Sequence, residues 1–215
     1  MNTWQEWLQE RRAASNMKVT EIPLQAAAPW CVMNAKNVAG GIPHHVGRED
    51  GKFFTVNAIR VGEANREVEG WPQVVIKEAA KPGEEGVVVL VCDVQGNCLV
   101  QAKAEPGNDT PGCVLLAPTL QVSRANLGQA HGGKRPWRAE LVGDEALDGA
   151  ILIHADGARF LGKHASFIVI TVEASTIECA PNERWFSEQE LREALRAGDV
   201  NEHLAHAWLV KMVGG

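Results

Sequence analysis

Three polar side chains alternate along one predicted strand, in the stretch QAKAEPGND at residues 101–109. Gln101, Lys103 and Glu105 share one face, because neighbouring side chains of a strand point to opposite faces. Only alanines occupy the other face. An amide, an ammonium and a carboxylate in a row can bind a polar ligand and exchange protons with it. The same pattern is also typical of an antiparallel sheet with one solvated face.

A second polar set follows in VLLAPTLQVSRAN, at residues 114–126. Its polar side chains alternate with Leu120 and Val122, so this segment also predicts a strand with one polar face. Two such strands could line one groove. The polar members of this set are Thr119, Gln121, Ser123, Arg124 and Asn126.

The next loop, HGGKRPWR at residues 131–138, combines a histidine, two glycines and a basic cluster. Imidazole titrates near neutral pH, so His131 is the best candidate in this segment for an acid or a base. Gly132 and Gly133 would let a ligand approach the backbone closely. Most isolated histidines are nevertheless structural, and this loop alone is a weak signal.

Metal or cofactor chemistry is not indicated. His44 and His45 are adjacent, so in an extended segment they point to opposite faces. His203 and His206 share a helix face, but they have no evident third ligand and do not form an HExxH arrangement. The dinucleotide, Walker and nucleophile-elbow motifs are absent from the sequence, as is the glutamate-rich helix of the Nudix hydrolases.

The elements that position these residues are predicted to form an α+β fold, a mixed and largely antiparallel sheet framed by terminal helices. Helix starts are predicted from three capping pairs, Thr3–Glu6, Ser187–Glu190 and Asp199–Glu202. The candidate strands are 18–24, 52–61, 72–79, 86–94, 97–105, 114–123, 149–154 and 166–173. Gln95-Gly96-Asn97 predicts a hairpin turn, and Glu105-Pro106-Gly107-Asn108 predicts a type II turn.

The amino-acid composition limits the kinds of partner that the protein can bind. The 215 residues favour one domain, 1–215, and the net charge of −6 offers no general attraction to nucleic acid or anionic membranes. No apolar run is long enough to span a membrane. Residues 1–16 lack the apolar core of a signal peptide, and five cysteines without a CxxC pair favour free thiols. We therefore expect a cytoplasmic protein.

The run QAKAEPGNDTPGCVLLAPTLQVSRANLGQAHGGK, residues 101–134, resembles the signature of the NDP-hexose 2,3-dehydratases. That signature has a QAKxEPGN strand and turn, a strand containing PTxQ, and a VHxG loop. Similarity extends to GKFFTVNAIRV, DGARFLGKHASFIVI and RWFSEQELREALRAGDVNEHLAHAWL, so it covers nearly the whole chain. The resemblance implies a Nudix-like core without the Nudix catalytic box. Members normally carry two such units per chain, and this sequence is equivalent to one.

The reaction that the resemblance implies is the loss of water across carbons 2 and 3 of a nucleotide-linked 4-keto-6-deoxyhexose. The 4-ketone makes the proton on carbon 3 acidic, because an enolate can carry the charge. A base must remove that proton, donors must stabilise the enolate oxygen, and an acid must protonate the departing 2-hydroxyl. Neither a metal ion nor a redox cofactor is needed.

For this reaction His131 is the first candidate acid–base residue and Glu105 is the second, and their division between acid and base stays open. Lys103 and Gln101 would steady the enolate or the sugar hydroxyls. Candidates for the diphosphate are Arg124, Lys134, Arg135 and Arg159. The other candidate substrate-binding residues are Asn108, Gln121, Ser123 and Asn126.

Three hypotheses follow. The chain is a dehydratase of such a sugar, or of a related β-hydroxy carbonyl compound in a biosynthetic pathway. Alternatively, it is a non-catalytic module that binds nucleotide sugars, or a partner subunit that completes a site in another chain. For the enzyme we expect a homodimer, because two copies related by a twofold axis would reproduce the paired units of the family.

Overall fold

The computed structural model describes residues 2–33, 45–62, 70–78, 85–129, 132–143 and 149–214, and within these ranges the chain forms two β-sheets and four α-helices. The helices are α1 (Trp4–Ala14), α2 (Arg124–Leu127), α3 (Glu188–Ala197) and α4 (Glu202–Gly214). The first strands are β1 (Trp30–Met33), β2 (His45–Arg48), β3 (Phe54–Arg60), β4 (Pro72–Glu78), β5 (Gly86–Asp93) and β6 (Cys98–Ala104). The later strands are β7 (Val114–Ala117), β8 (Leu120–Val122), β9 (Ile151–His154), β10 (His164–Val172) and β11 (Glu183–Phe186).

The smaller sheet is antiparallel, with the strand order β1-β2-β3-β4. The larger sheet has the order β11-β6-β5-β10-β9, with β7 paired to β6 and β8 paired to β5. Its pairs are antiparallel except for β5 with β10, which run parallel. The predicted α+β class and the mixed, largely antiparallel strand pairing are therefore confirmed, but the strands form two sheets where one was predicted.

Strand β5 is the centre of the core, since almost its whole length is buried on both faces. Its run GVVVLVC is apolar without interruption, as expected for a strand covered on both sides. Val88 and Leu90 face α1, α3 and α4, where Leu8 and Leu204 pack against them. The opposite face carries the second apolar cluster, which includes Val87, Val89, Val91, Leu99 and Ile168.

The larger sheet forks beside β5. One half of β5 pairs with β6, where Val91 lies opposite Leu99, and the other half pairs with β8. Thr119 is fully buried at the fork, where its hydroxyl donates to the Leu99 carbonyl and accepts from the Val91 N–H at 3.0 Å. The Gln101 amide donates to the carbonyls of Pro118 and Thr119, at 2.8 and 3.1 Å. Side chains thus hold β6 and β8 together where they share no ladder.

This fork corrects the prediction of one strand over 114–123. The segment forms two short strands, β7 and β8, with Pro118 and Thr119 between them. Proline has no N–H for a ladder, and the Thr119 hydroxyl is directed to the fork instead.

The first predicted strand is also wrong. Residues 18–23 have no regular secondary structure, and Leu24–Ala26 form a 3₁₀ turn. Strands β1, β2 and β11 were not predicted, because segments of four residues are too short to show a clear period.

Two of the predicted helix starts are confirmed. The Thr3–Glu6 and Ser187–Glu190 pairs both form complete capping boxes. The Asp199–Glu202 prediction is wrong, because the Asn201 side chain caps α4 by accepting from the Leu204 N–H at 2.9 Å. Asp199 instead forms a salt bridge with the buried Arg12 of α1.

The two predicted turns have different outcomes. Gly96 has a left-handed φ of 87°, and the predicted hairpin joins β5 to β6. It sets the buried Cys92 opposite Cys98, with their Sγ atoms 3.3 Å apart and both thiols free. The turn after β6 closes with a bond from the Asn108 N–H to the Glu105 carbonyl at 3.1 Å. It is not type II, because Gly107 lacks the positive φ that this type requires.

The smaller sheet is attached to the larger one through β4. The Ile76 N–H donates to the Arg159 carbonyl at 2.8 Å, and the Leu161 N–H donates to the Ile76 carbonyl at 2.9 Å. Lys163 then pairs with Glu78 at 2.9 Å. These contacts bring the end of β4 next to the start of β10. Among the described helices, none is long and apolar enough to cross a membrane.

Replacement of Thr119 by valine tests the fork. The Thr119→Val variant should lose about 1–3 kcal/mol of unfolding free energy, because the Val91 N–H is left buried without an acceptor. Urea unfolding followed by circular dichroism measures this loss. The matched control is Thr176→Val, whose exposed hydroxyl bonds only to its own turn and should change stability by no more than about 0.5 kcal/mol. Equal stability of the two variants would contradict this role of Thr119.

Candidate active site

A pocket of about 210 Å³ lies at the fork, between the ends of β4, β6, β8 and β10 and the start of α4. Among the predicted residues that line it are Lys103, Glu105, Gln121, Ser123 and Asn126. The rest of the lining is Glu78, Gly86, Val87, Val88, Val122, Lys163, His164, Ala165 and His203. The two polar strands predicted from the sequence thus contribute side chains to one cavity.

Glu105 is at the centre of the polar network. Its Oε1 lies 3.0 Å from the Lys103 ammonium and accepts from the Gln121 amide at 3.3 Å. Its Oε2 accepts from the Asn201 amide at 3.4 Å. Both carboxylate oxygens therefore already have donors. This arrangement suits a group that orients Lys103 better than one that takes a proton from a ligand.

Asn201 connects this network to α4. Asn201 is only 8% exposed, and its Nδ2 donates to Gln121 Oε1 at 2.9 Å as well as to Glu105. Its Oδ1 caps the helix at Leu204. Sequence reasoning missed Asn201, although asparagine is among the preferred residues at a helix start.

The opposite wall carries two more basic side chains. Lys163 pairs with Glu78 at 2.9 Å, and His164 Nε2 lies 3.0 Å from a Glu85 carboxylate oxygen. Neither residue was predicted from the sequence to belong to a site. Because the lysines and His164 all have carboxylate partners, the pocket has a nearly balanced charge. It suits neutral hydroxyl and carbonyl groups better than an anionic group.

His203 completes the lining from the first turn of α4. Its ring stacks on Phe167, with centroids 6.3 Å apart and planes at 15°. Burial lowers the pKa of His203 below its usual value of 6.5, so the neutral ring predominates at neutral pH. The sequence had suggested it only as half of a weak metal pair with His206. Its role in the lining depends on tertiary contacts that no local spacing reveals.

Two predicted residues next to the pocket have buried polar atoms without partners. These atoms are Arg124 Nε and Asn126 Oδ1, both on the short helix α2. Asn126 lines the cavity, and Arg124 follows the lining residue Ser123 in sequence. Both atoms retain hydrogen-bonding capacity that a ligand could satisfy.

The other predicted residues do not line the pocket. Gln101 holds the fork, and the Asn108 amide donates to the Cys113 carbonyl at 2.9 Å inside its turn. Lys134, Arg135 and Arg159 are exposed. His131 lies outside the residues that the structure describes.

The loop that carries Lys134 and Arg135 is anchored on β11 by Glu183. The Glu183 side chain is 0% exposed and accepts from Arg138 at 2.7 and 3.0 Å and from the Trp137 indole at 2.8 Å. Burial alone would raise the pKa of Glu183, but bonds from Arg138, the Ala180 N–H and Trp137 outweigh it and leave the pKa lowered. The carboxylate is thus ionised, and it fixes the loop next to the sheet.

Metal ligands are not assembled in the described part of the chain, where no group of three or more His, Cys, Asp or Glu side chains could hold an ion.

The whole sequence was compared with protein families and with curated proteins. The family model for NDP-hexose 2,3-dehydratase matches residues 1–206, so the chain belongs to that family. The chain is 32% identical over 197 residues to a dTDP-4-dehydro-6-deoxy-alpha-D-glucopyranose 2,3-dehydratase from Amycolatopsis orientalis, covering 89% of this chain and 39% of that protein.

Proteins with the same name in two other organisms are also similar. The match to the Saccharopolyspora spinosa protein is 27% identical over 200 residues, 90% of this chain and 38% of that protein. The match to the Streptomyces violaceoruber protein is 29% identical over 173 residues, 76% of this chain and 36% of that protein. The chain therefore spans less than two fifths of the length of these relatives.

The buried Glu183 should make stability depend on pH. Because the native pKa is lowered from 4.5, its contribution is complete above that pH and is lost as pH falls through the native value. Glu183→Gln should therefore be much less stable than wild type at neutral pH, and the difference should shrink as pH falls below 4.5 and through the lowered native pKa. Urea unfolding across this range measures the difference. Glu21→Gln, at an exposed position, is the control, and a pH-independent difference for Glu183→Gln would contradict the assignment.

Proposed function

We propose that this chain dehydrates a nucleotide-linked 4-keto-6-deoxyhexose across carbons 2 and 3, or a related β-hydroxy carbonyl compound, in deoxysugar biosynthesis. The observation that carries the proposal is the Lys103–Glu105–Gln121 network, which lines a pocket of sugar-ring size at the fork. The relatives, named for action on dTDP-4-dehydro-6-deoxyglucose, support the choice of substrate class.

The proposed reaction proceeds through an enolate. A base removes the proton from carbon 3, and the electrons of that bond move onto the 4-ketone oxygen. The Lys103 ammonium, held by Glu105, is the proposed donor to this oxygen. The enolate then expels the 2-hydroxyl, which takes up a proton and leaves as water, and the enol tautomerises to a 3,4-diketo-2-deoxy sugar. A preorganised donor facing an oxyanion typically contributes about 10²–10³-fold in rate.

The pocket is small compared with the substrate. Sites that bury drug-sized ligands have volumes of roughly 300–1,000 Å³, so a cavity of about 210 Å³ suits the sugar ring alone. Gln121, Ser123 and Asn126 are the proposed contacts of the ring hydroxyls, and the unpartnered Asn126 Oδ1 supports this role. Gln101 and Asn108 would act by holding the fork and the turn that support them.

The nucleotide diphosphate is proposed to lie outside the cavity, because the lysines and the His164 imidazole in the cavity have carboxylate partners. The proposed contacts are basic residues that have no carboxylate partner among the described residues, namely Arg124, Lys134, Arg135 and Arg159. Arg124 is favoured among them, since its Nε is buried without an acceptor beside the lining residues. An arginine can bind phosphate oxygens with two parallel hydrogen bonds.

His131 is proposed for one of the two acid–base roles, from its place in the family signature. The chemistry requires only proton transfer and oxyanion stabilisation, so we propose that the enzyme, a carbon–oxygen lyase, needs no metal ion and no redox cofactor.

We also propose a type of core for the fold and a cellular location for the protein. We infer a Nudix-like core without the Nudix catalytic box. The parallel pair of β5 with β10 inside an otherwise antiparallel sheet, covered by helices on one face, supports it. We propose a cytoplasmic location, supported by free thiols at Cys92 and Cys98 that lie close together without a disulfide.

Turnover tests the proposed reaction directly. Wild-type protein in buffer with EDTA should convert dTDP-4-keto-6-deoxyglucose to the dehydrated product, detected by mass spectrometry after reduction. Lys103→Met should slow turnover by about 10²–10³-fold, because the enolate loses its donor. Lys77→Met, at an exposed position of β4 outside the pocket, should retain the wild-type rate.

Three other results of this assay would favour an alternative function or overturn metal independence. Binding of the nucleotide sugar without turnover would favour the non-catalytic module. Turnover that appears only when a second, homologous chain is added would favour the partner subunit. Activity lost in EDTA and restored by a divalent ion would overturn metal independence.

The active form is proposed to be a homodimer of single units, with residues 1–215 equivalent to one unit of the family. Large apolar side chains exposed on the last turns of α4 support an interface there, namely Leu209, Met212 and Val213. A stable interface should bury on the order of 1,600 Å², so the dimer should persist at micromolar protein. Sedimentation under assay conditions measures this, and a monomer with full specific activity on dilution would contradict it.

A further inference from the structure

We propose that His203 is the base that removes the proton from carbon 3 of the sugar, acting from the α4 wall of the pocket. The inference rests on the proposed function and deepens it. It gives the base role to a residue far in sequence from the family signature.

The position of His203 carries the proposal. The ring lines the same cavity as Lys103 and Glu105, so a sugar bound there meets a proton acceptor and an enolate donor together. Within the described ranges, neither ring nitrogen has a hydrogen bond to protein. Stacking on Phe167 fixes the ring plane without using those nitrogens. A ligand in the cavity would therefore meet an oriented imidazole with free nitrogens.

The backbone that carries this ring is tied to the rest of the site. Asn201 caps α4 two residues earlier and donates to both Glu105 and Gln121. The Asn201 N–H also donates to the Leu116 carbonyl at 2.8 Å. The distance between His203 and the Lys103–Glu105 pair is therefore set by direct contacts. A base needs this fixed geometry, since proton transfer requires close approach to the carbon.

Glu105 is a weaker candidate for the same role. Its two oxygens accept from Lys103, Gln121 and Asn201, whereas the His203 nitrogens have no such donors. Removal of Lys103 from Glu105 to free a lone pair would also displace the proposed enolate donor. The two residues thus have complementary roles.

The protonation state of His203 agrees with a base. Burial lowers its pKa, and the charges of Lys103 and Lys163 act in the same direction, while Glu202 and Glu105 oppose them. The other charged or titratable groups nearby are Glu78, His164 with Glu85, and His206. The neutral ring is the form that accepts a proton, so kcat/KM should fall with decreasing pH through a value below 6.5.

The step balances in protons and electrons. A neutral ring nitrogen accepts the proton from carbon 3, and the C–H electron pair forms the carbon 3–carbon 4 double bond of the enolate. The enolate expels the 2-hydroxyl from carbon 2, and this group takes a proton from the acid to leave as water. The imidazolium then returns its proton to solvent, and the acid takes one up.

Deuterium exchange at carbon 3 isolates this step. A 2-deoxy analogue of the dTDP-4-keto sugar can form the enolate but has no 2-hydroxyl to lose. Wild-type protein in D₂O should exchange carbon 3 of the analogue and not carbon 5, as followed by NMR. His203→Gln should slow the exchange by about 10²–10⁴-fold, with binding of the analogue nearly unchanged.

The matched control is His206→Gln. His206 is one turn further along α4 and also contacts Phe167, but it does not line the pocket. Exchange should remain at the wild-type rate in this variant. If His203→Gln does not fold, NMR titration of the His203 ring in wild type replaces it. The midpoint should then match the acidic limb of the exchange rate, and a mismatch would overturn the proposal.

The outcomes separate this inference from the proposed function. If wild type dehydrates the full substrate and His203→Gln exchanges carbon 3 within a few-fold of wild type, only the role of His203 is overturned. If wild type exchanges carbon 3 through His203 but dehydrates no nucleotide sugar, the base assignment stands and the dehydratase proposal fails. If wild type does neither, both fail.

Discussion

A single threonine hydroxyl allows the larger sheet to fork. At Thr119 the backbone hydrogen bonds between β5 and β6 end. The Thr119 hydroxyl replaces them by forming a hydrogen bond with one backbone group on each strand. A buried N–H without an acceptor would cost more than the bond itself provides. β5 can therefore pair with β6 at one end and β8 at the other. The divergence of these strands creates the space in which the polar side chains meet.

The electrostatics of the site follow from that geometry. β6 and β8 are not paired with each other, so their side chains can meet across the space between them. Lys103 pairs with Glu105 two residues further along the same strand segment, and Gln121 of β8 joins Glu105 to Asn201. A network of this kind is rigid before a ligand arrives, and preorganised donors stabilise developing charge without the cost of reorientation. Two lysines thus reside near a pocket without making it strongly cationic.

The alternation of side chains predicted much of this wall from sequence alone. Lys103 and Glu105 line one cavity with Gln121 and Ser123, as two polar-faced strands in one groove require. The same alternation placed Gln101 in the set, but its amide is directed to carbonyls at the fork, a contact that depends on the break at Pro118.

The opposite wall could not be predicted in the same way. His203 and Lys163 reach the pocket only through tertiary packing of α4 and β10, and their spacing from the signature has no period. The start of α4 shows the same limit. Asp199 fits the capping pattern locally, but it is held by Arg12, 187 residues away in the sequence. Local rules describe each element, and long-range pairs decide between local alternatives.

The amide of Asn201 belongs to a helix cap and to the pocket at the same time. Fraying of the first turn of α4 would release the donor shared by Glu105 and Gln121, and disorder in that network would weaken the cap. The local opening free energy of the helix and the affinity of the pocket are therefore thermodynamically linked. This linkage is reciprocal. If an intact cap strengthens ligand binding by a given free energy, then ligand binding stabilises the cap by the same free energy. A ligand that tightens the network must therefore protect the Leu204 amide from solvent exchange by that amount.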